Sequence, residues 1–431
     1  MAESSDAQLV LVTGASGFIA SHIIKQLQTS GYRVRGTVRS LENEAKIKPL
    51  KELCPDAEHQ LELVEADLLK PETWESAVKD CNYVIHTASP FPNQVVKDPE
   101  TELIQPAVEG TTNVLKAIQA GKTVKRVVIT SSIATVIGGE TGVDTTKTYT
   151  EEDWANVDKL DGYSKSKTLA EKAAWDFLKE LPEEERFEIA TIQPGYVLGP
   201  IIHGSMCTSM EVPKKLLERA MPGLPKLNFN IVDVRDVAEA HIKAMTAPEA
   251  AGKRHIAVTH NMWIRDIASV IAEEYRPQGY NVPTWQLPNF AVWVGGMFDK
   301  TVKLTVPQLG KQYKLESTKL KEVLGIEPKD SKETILDMCS TMIEGGWVKK
   351  PKPKKQKASK AKKDEEAVEN HVAEGSADAK NEEEKKEGEE TEEKKEEEKP
   401  AESDEKPTEE KPEEKPEEKS EEKTEEKAEE K

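Results

Sequence analysis

Aromatic residues are scarce in this chain of 431 residues: seven Trp, seven Phe and eight Tyr, or 5% of the total. From Pro351 to Lys431 there are none, and that segment carries 20 Lys against 32 Asp plus Glu. A stretch with so little to bury cannot offset the entropy of ordering, so disorder is expected over 348–431. Cysteine is equally sparse. Cys54, Cys81, Cys207 and Cys339 are scattered and never paired as CxxC, which excludes a disulfide framework or a zinc-type spacing. Free thiols in a reducing compartment, and no metal site, are expected. The most hydrophobic later stretch, Asn289–Phe298, is shorter than the ~20 apolar residues that span a bilayer. The opening MAESSDAQ lacks the apolar core of a secretory signal. A cytoplasmic protein without membrane association is the simplest reading.

Basic charge is not in excess either. The formal net charge is −19, and residues 1–350 keep 41 basic against 48 acidic side chains. A mildly acidic body argues against nucleic acid as its main partner. The one basic concentration is Lys349–Lys363, nine lysines without an acid, a candidate nuclear-import signal. Beyond it the chain closes in a period-four EEKx repeat, Glu409–Lys431, interrupted by Pro412 and Pro416. Period four sets like charges over one another at i,i+4 and opposes a helix. A partner for this tail is conceivable but the residues do not identify one.

What is present in quantity is alternation of strand and helix patterns. LVLVTGASGFIA, Leu9–Ala20, reads as a strand, a tight glycine turn and the first turn of a helix. In a dinucleotide-binding unit Gly14 permits the turn and Gly17 lets backbone approach a pyrophosphate. Ala20 is small enough for helix-on-strand packing. Further strands are expected at Tyr32–Val38, Leu61–Glu65, Tyr83–His86, Arg126–Thr130, Glu188–Gln193 and His255–Val258. Helices should fill Ser21–Thr29, Glu42–Leu53, Pro71–Lys79, Glu100–Ala120, Tyr163–Leu178, Asp236–Met245, Ile264–Tyr275 and Ser331–Ile343. Ile231–Val234 is expected as a short extended stretch, and Pro194–Phe229 as loops and short helices. This alternation implies an α/β, doubly wound parallel sheet, a Rossmann fold. The expected division is a flexible 1–8, a dinucleotide-binding domain at 9–196 to which 228–260 return, and a smaller discontinuous C-terminal substrate lobe at 197–227 and 261–347. The body should end near Trp347.

Three clusters fall at the carboxyl ends of strands, where such sheets bind ligands. They are Thr130-Ser131-Ser132, Tyr163-Ser164-Lys165-Ser166-Lys167, and Pro194-Gly195. On a helix Tyr163 and Lys167 share a face, and a lysine cation beside a phenol favours phenolate. Such a tyrosine can exchange a proton with a carbonyl or an alcohol, and Ser132 can hold the same oxygen. A nicotinamide cofactor would supply the hydride. Strand two ends Thr37-Val38-Arg39 without an acid, which suits a 2′-phosphate and favours NADP(H).

These pieces, with ADLL, HTASP, EGTTNVLKA, VVITSSIATV, YSKSKTLAEKAAW, IQPGYVLGP and VDVRDVAEAHI, resemble the extended short-chain dehydrogenases/reductases. The likeness is to the dihydroflavonol reductase-like branch, with its aldehyde and ketone reductases. It is dense over residues 9–245 and looser through STKLKEVLG. The resemblance implies NADP-dependent carbonyl reduction with Ser132, Tyr163 and Lys167 as the catalytic set, Lys167 also binding the nicotinamide ribose. It further implies cofactor contacts from the turn Gly14, Ser16, Gly17, Phe18 and Ile19, and cations Arg39 and Lys46 at the 2′-phosphate. Asp67 and Leu68 would flank the adenine, Thr87, Ala88 and Ser89 would line the cofactor, and Pro194, Gly195, Val197 and Ser209 would border the nicotinamide. Phe91, His203, Met206 and Met210 are candidate pocket walls. His22 is expected to pack, His86 to lend backbone to the cofactor site, and the Asp233–Asp236 run to serve as a structural ion-pair and capping element. The substrate is a small-molecule carbonyl that these motifs do not identify. Two other readings stay open: an NAD-linked hydroxysteroid-type dehydrogenase or sugar epimerase on the same scaffold, and a cofactor-binding scaffold acting through its tail.

Overall fold

β1 (Leu9–Thr13) is buried at all five positions, as a parallel strand covered on both faces must be. In this computed structural model, which describes residues 7–90, 96–138, 143–202, 204 and 207–351, β1 sits near the middle of the main sheet. The expected pocket residues Phe91, His203 and Met206, and the charged tail beyond residue 351, lie outside the described residues. The strands that follow are β2 (Arg33–Val38), β3 (Glu62–Glu65), β4 (Tyr83–His86), β5 (Arg126–Thr130), β6 (Thr148–Tyr149), β7 (Glu188–Pro194), β8 (Tyr196–Leu198), β9 (Asn228–Asp233), β10 (Arg254–Ala257), β11 (His260–Trp263) and β12 (Lys314–Leu315). Seven of them form a parallel sheet in the order β10-β7-β5-β4-β1-β2-β3. The order reverses between β1 and β4, where Thr13 lies opposite His86. That switch point opens a crevice at the carboxyl ends of the two strands.

Helices cover both faces: α1 (Phe18–Thr29), α2 (Glu44–Lys51), α3 (Glu72–Val78), α4 (Gln105–Gly121), α5 (Ala134–Ile137), α6 (Gly162–Glu180), α7 (Glu211–Leu217) and α8 (Val234–Thr246). On α1 the buried residues Ala20, Ile23, Ile24 and Leu27 follow the i, i+3, i+4, i+7 rule, and α1 packs against α8. Each such large aliphatic side chain contributes about 1.5–3 kcal/mol by leaving water. The expected helix Glu100–Ala120 is two pieces, because Glu100–Ile104 winds as a π-helix before α4. Pro106 offers no N–H to the preceding turn and its ring crowds the carbonyl four residues back, so the regular ladder begins only there.

Of residues 228–260, α8 and β10 return to the main sheet, whereas β9 does not. It joins β8 and β11 in a separate three-stranded sheet, parallel to the first and antiparallel to the second. β8 lies inside the stretch expected as loop; three residues after a Pro-Gly are too few to show a period. α9 (Ile264–Tyr275), α10 (Asn289–Gly295), α11 (Lys300–Thr305), α12 (Thr318–Glu322) and α13 (Ser331–Glu344) complete the described chain. A second apolar core joins Leu198, Met210, Leu216, Ile267, Ile271 and Met338. Val348 is 2% exposed within this core, so the packed body runs past Trp347. Asn289–Phe298 is a short surface helix and turn with Phe290, Trp293 and Phe298 exposed. No described helix is long and apolar enough to cross a membrane.

Candidate active site

The glycine turn is built by close approach. Gly14 has φ +68°, and a Cβ there would lie 3.1 Å from the Ala88 Cα beyond β4. Gly36 on β2 is required as well, since its Cβ would come within 2.8 Å of the Ala15 Cβ. The Gly14 amide donates to Thr37 Oγ1 at 3.0 Å and the Ala15 amide to the Thr37 carbonyl at 2.9 Å. Thr13 is the hub between the strands: its Oγ1 accepts from the amides of Thr87 and Ala88 at 3.1 and 3.0 Å, while Thr87 Oγ1 donates to the Thr13 carbonyl. Thr13, Ala15, Gly36 and Thr37 were invisible as site residues in the sequence, because each works by shaping backbone.

Whether this cradle fits a dinucleotide can be tested on its donors. The N-cap of α1 is Gly17, with no side-chain cap and no acid in the first turn, so no side chain of the cap competes with an anion for the amides there. Arg39 follows β2, and Lys46 lies in the first turns of α2; both are exposed, and neither has an ion pair among the described residues. Asp67 and Leu68 follow β3, beside Arg39. Gly110 on α4 keeps room for Leu68, whose Cβ would be 2.8 Å from a Cβ at that glycine. Phe18 and Ile19 pack on the apolar cluster of Val197, Val232, Val234 and Val237, so two expected parts of the cofactor site, α1 and β8, meet there. Gly195 admits no side chain: a Cβ would lie 2.2 Å from the Asn230 carbonyl oxygen. Tyr196, unnoticed in the sequence, donates its hydroxyl to the Ser209 carbonyl at 2.5 Å and fixes that turn. The donors and the shaped backbone therefore fit a phosphate-bearing dinucleotide.

Ser132 lies in the turn after β5, and Tyr163 and Lys167 are on one face of α6, whose N-cap Asp161 accepts from the Ser164 amide at 3.0 Å. The turn is pinned to β7, with the Ser131 amide on the Ile192 carbonyl at 2.7 Å and the Ile133 amide on the Pro194 carbonyl at 3.0 Å. The structure brings Ser132 and Tyr163 into a hydrogen bond. One expectation is reversed. Burial pushes the Tyr163 phenol above its ordinary value, with the Ser132 bond pulling down and Asp161 pushing up. Burial, not the cation of Lys167, sets that direction. Lys167 is itself lowered to about 8 by burial, against the upward pull of Glu171.

Other singled-out residues are structural. His22 is buried, contacts the Pro200 carbonyl at 2.9 Å and is lowered to about 4 by burial. His86 contributes its side chain, not only backbone: Nδ1 meets Thr13 Oγ1 at 2.9 Å, and burial, then the Lys167 charge, lower it to about 3. Met210, a candidate pocket wall, is fully buried in the second core. Asp233 caps α8, accepting from the Arg235 amide at 2.7 Å, and pairs with the Arg235 guanidinium at 2.7 Å, as a structural element should.

Residues 10–259 match the NAD dependent epimerase/dehydratase family. A cinnamoyl-CoA reductase of Medicago truncatula is 38% identical over 294 residues, 67% of this chain and 85% of that one. A dihydroflavonol 4-reductase of Zea mays is 37% identical over 290 residues, 65% of this chain and 78% of that one. Yeast methylglyoxal/isovaleraldehyde reductase Gre2, solved with NADPH, superposes with a TM-score of 0.65 at 31% identity, covering 79% of this chain and 100% of that one. The glycine cradle at the sheet's switch point and these likenesses together place the chain in the NAD dependent epimerase/dehydratase family, as an NAD(P)-dependent oxidoreductase of the extended short-chain dehydrogenase/reductase type.

Proposed function

We propose that this protein reduces an aldehyde or ketone with NADPH, and that Tyr163 donates the proton. The observation that carries the reading is the hydrogen bond between the Tyr163 phenol and Ser132 at the carboxyl edge of the sheet, with Lys167 one helical turn further along α6. The turn from Gly14 to Ile19 would hold the pyrophosphate, Arg39 and Lys46 the 2′-phosphate, and Asp67 and Leu68 the adenine side. Thr87, Ala88 and Ser89 would line the cofactor, with Pro194, Gly195, Val197 and Ser209 at the nicotinamide side. Bound NADPH supplies a hydride to the carbonyl carbon. Ser132 holds the carbonyl oxygen, and Tyr163 passes its proton to that oxygen as negative charge develops there. Lys167 binds the ribose and, as a cation, stabilises the phenolate left behind. Carbonyl plus hydride plus proton balances as the alcohol.

NADPH over NADH is supported by Arg39 and by the NADPH found in the Gre2 structure. Aldehydes are the substrates to try first, because Gre2 is named as a reductase of methylglyoxal and isovaleraldehyde. The lobe around α7, α9 and α13 would supply the substrate wall. The test follows NADPH and NADH absorbance with a panel of aldehydes and ketones, for the native chain and Tyr163→Phe. Turnover with NADPH preferred, and a loss of ~10²-fold or more in kcat in the variant, are expected. A variant near native rate removes Tyr163 as the acid.

A further inference from the structure

Glu171 is buried, 2% exposed, and sits one helical turn beyond Lys167 and two beyond Tyr163 on α6. Five donors converge on its carboxylate. Ser131 Oγ donates to Oε2 at 2.5 Å; Oε1 accepts from Arg254 Nε at 2.8 Å, Gln193 Nε2 at 2.9 Å, Thr191 Oγ1 at 3.1 Å and Trp175 Nε1 at 3.3 Å. A donor-only surrounding of this kind suits an ionised carboxylate, which only accepts. Arg254, on β10, is also buried, and its second arm reaches Thr135 Oγ1 at 2.8 Å. Thr135 Oγ1 in turn donates to the Ser132 carbonyl at 2.9 Å. The remaining Arg254 nitrogen donates to the carbonyls of Glu151 and Asp153, both at 2.6 Å, and the guanidinium stacks on Trp154 at 3.8 Å.

The ion pair therefore grips the Ser131–Ser132 turn from two sides, through the Ser131 hydroxyl and through Thr135, and holds it to the helix that carries Tyr163 and Lys167. Burying a charge pair is costly and is no efficient source of stability. A closed polar network does fix geometry, since each partner is oriented by several others. We infer that the Glu171–Arg254 pair is a positioning unit for the carbonyl reduction proposed above, registering the Tyr163–Lys167 face of α6 against the Ser132 turn and setting a fixed negative charge beside Lys167. The inference rests on that reading for its chemistry.

Among the described residues, the ionisable groups around this unit include Asp161, which caps α6 and acts on the Tyr163 phenol, the buried Glu151, which pairs with Lys319 at 3.4 Å, and His255 on β10, which burial lowers to about 4. Lys167 and Tyr163 come from the same helix, Arg254 from β10 and His86 from β4, the last sensing the Lys167 charge. Glu109 and Lys116 on α4, and Asp158 and Lys159 before α6, are exposed; Glu100 is spent on Lys165 at 3.9 Å. The charge beside Lys167 inside the protein is thus that of Glu171.

Glu171→Gln preserves shape and removes the charge. At wild-type fold by circular dichroism, kcat should fall about tenfold to a hundredfold, as misplacement of reacting groups does. The alkaline limb of kcat/KM for NADPH should move down by about half a unit or more. Glu171→Asp, which restores the charge, should return the limb to its native position even where kcat stays low. Unchanged kcat and limb in Glu171→Gln, or equal losses in both variants with the limb unmoved, overturn the proposal. Should Glu171→Gln not fold, Arg254→Lys decides, because a lysine cannot reach Glu171, Thr135 and two carbonyls at once. There a native kcat overturns the inference, and a fall with native NADPH affinity supports it. If the native chain turns over no carbonyl, the reductase reading fails on its own. The inference is then read from the pH dependence of NADPH binding, by nucleotide fluorescence, in the native chain and Glu171→Gln.

Discussion

Lys167 shows how one side chain couples site chemistry to pH. Burial lowers it from 10.5 to about 8, with Glu171 opposing. Its contribution to ribose binding and to phenolate stabilisation needs the cation, so kcat/KM for NADPH should be level below pH 8 and fall above it. The sign for stability is opposite. Between about 8 and 10.5 the unfolded chain binds more protons at this position than the folded one. The cost of burying the ammonium is full below that window and relieved as pH rises through it. A pH series of NADPH kinetics beside thermal melts separates the two; a flat kinetic profile to pH 9.5 would remove Lys167 from cofactor binding.

At the scale of elements, the site depends on backbones that touch. β8 and β9 can pair beside the main sheet only because Gly195 lets the Asn230 carbonyl in, at the 2.2 Å that a Cβ would occupy. Backbone cannot swing aside as a lysine tip can. Gly195→Ala should therefore cost about 1–3 kcal/mol or more, visible as a lower denaturation midpoint. Because Val197 and Ser209 follow this junction, NADPH affinity should fall with it. An unchanged midpoint would mean that the two small-sheet strands separate freely.

For the whole molecule, the boundary between core and tail is set by Val348, which is buried, and by the Lys349 amide, which donates to Glu218 at 3.2 Å. A chain ended after Pro351 keeps both. It should melt and turn over as the full chain does, since the residues beyond lack aromatics and cannot add to an apolar core. Ending the chain after Gly346 removes Trp347 and Val348 from the second core, and should lower stability by about 2–5 kcal/mol. Loss of turnover in the chain ended after Pro351 would make the lysine-rich segment part of the working enzyme.

The glycine turn, the strand–helix alternation and the Ser132, Tyr163, Lys167 order were legible in the residues alone, because each is a local pattern. Strand period, helix period and i,i+4 spacing act over a few residues, and glycine announces a turn before any fold exists. The sequence could also say that Arg39 stands where an acid would select the other cofactor. What only the tertiary structure decided is where separated segments meet. The short β8 had no period to show, and β9 left the main sheet because its partners lie in β8 and β11, about 30 residues away in either direction. Glu171 and Arg254 are 83 positions apart and read as surface charges until the sheet buries them together. The phenol of Tyr163 went up rather than down for the same reason: a spacing supplies the neighbouring cation, but the loss of water around both groups depends on everything packed over them.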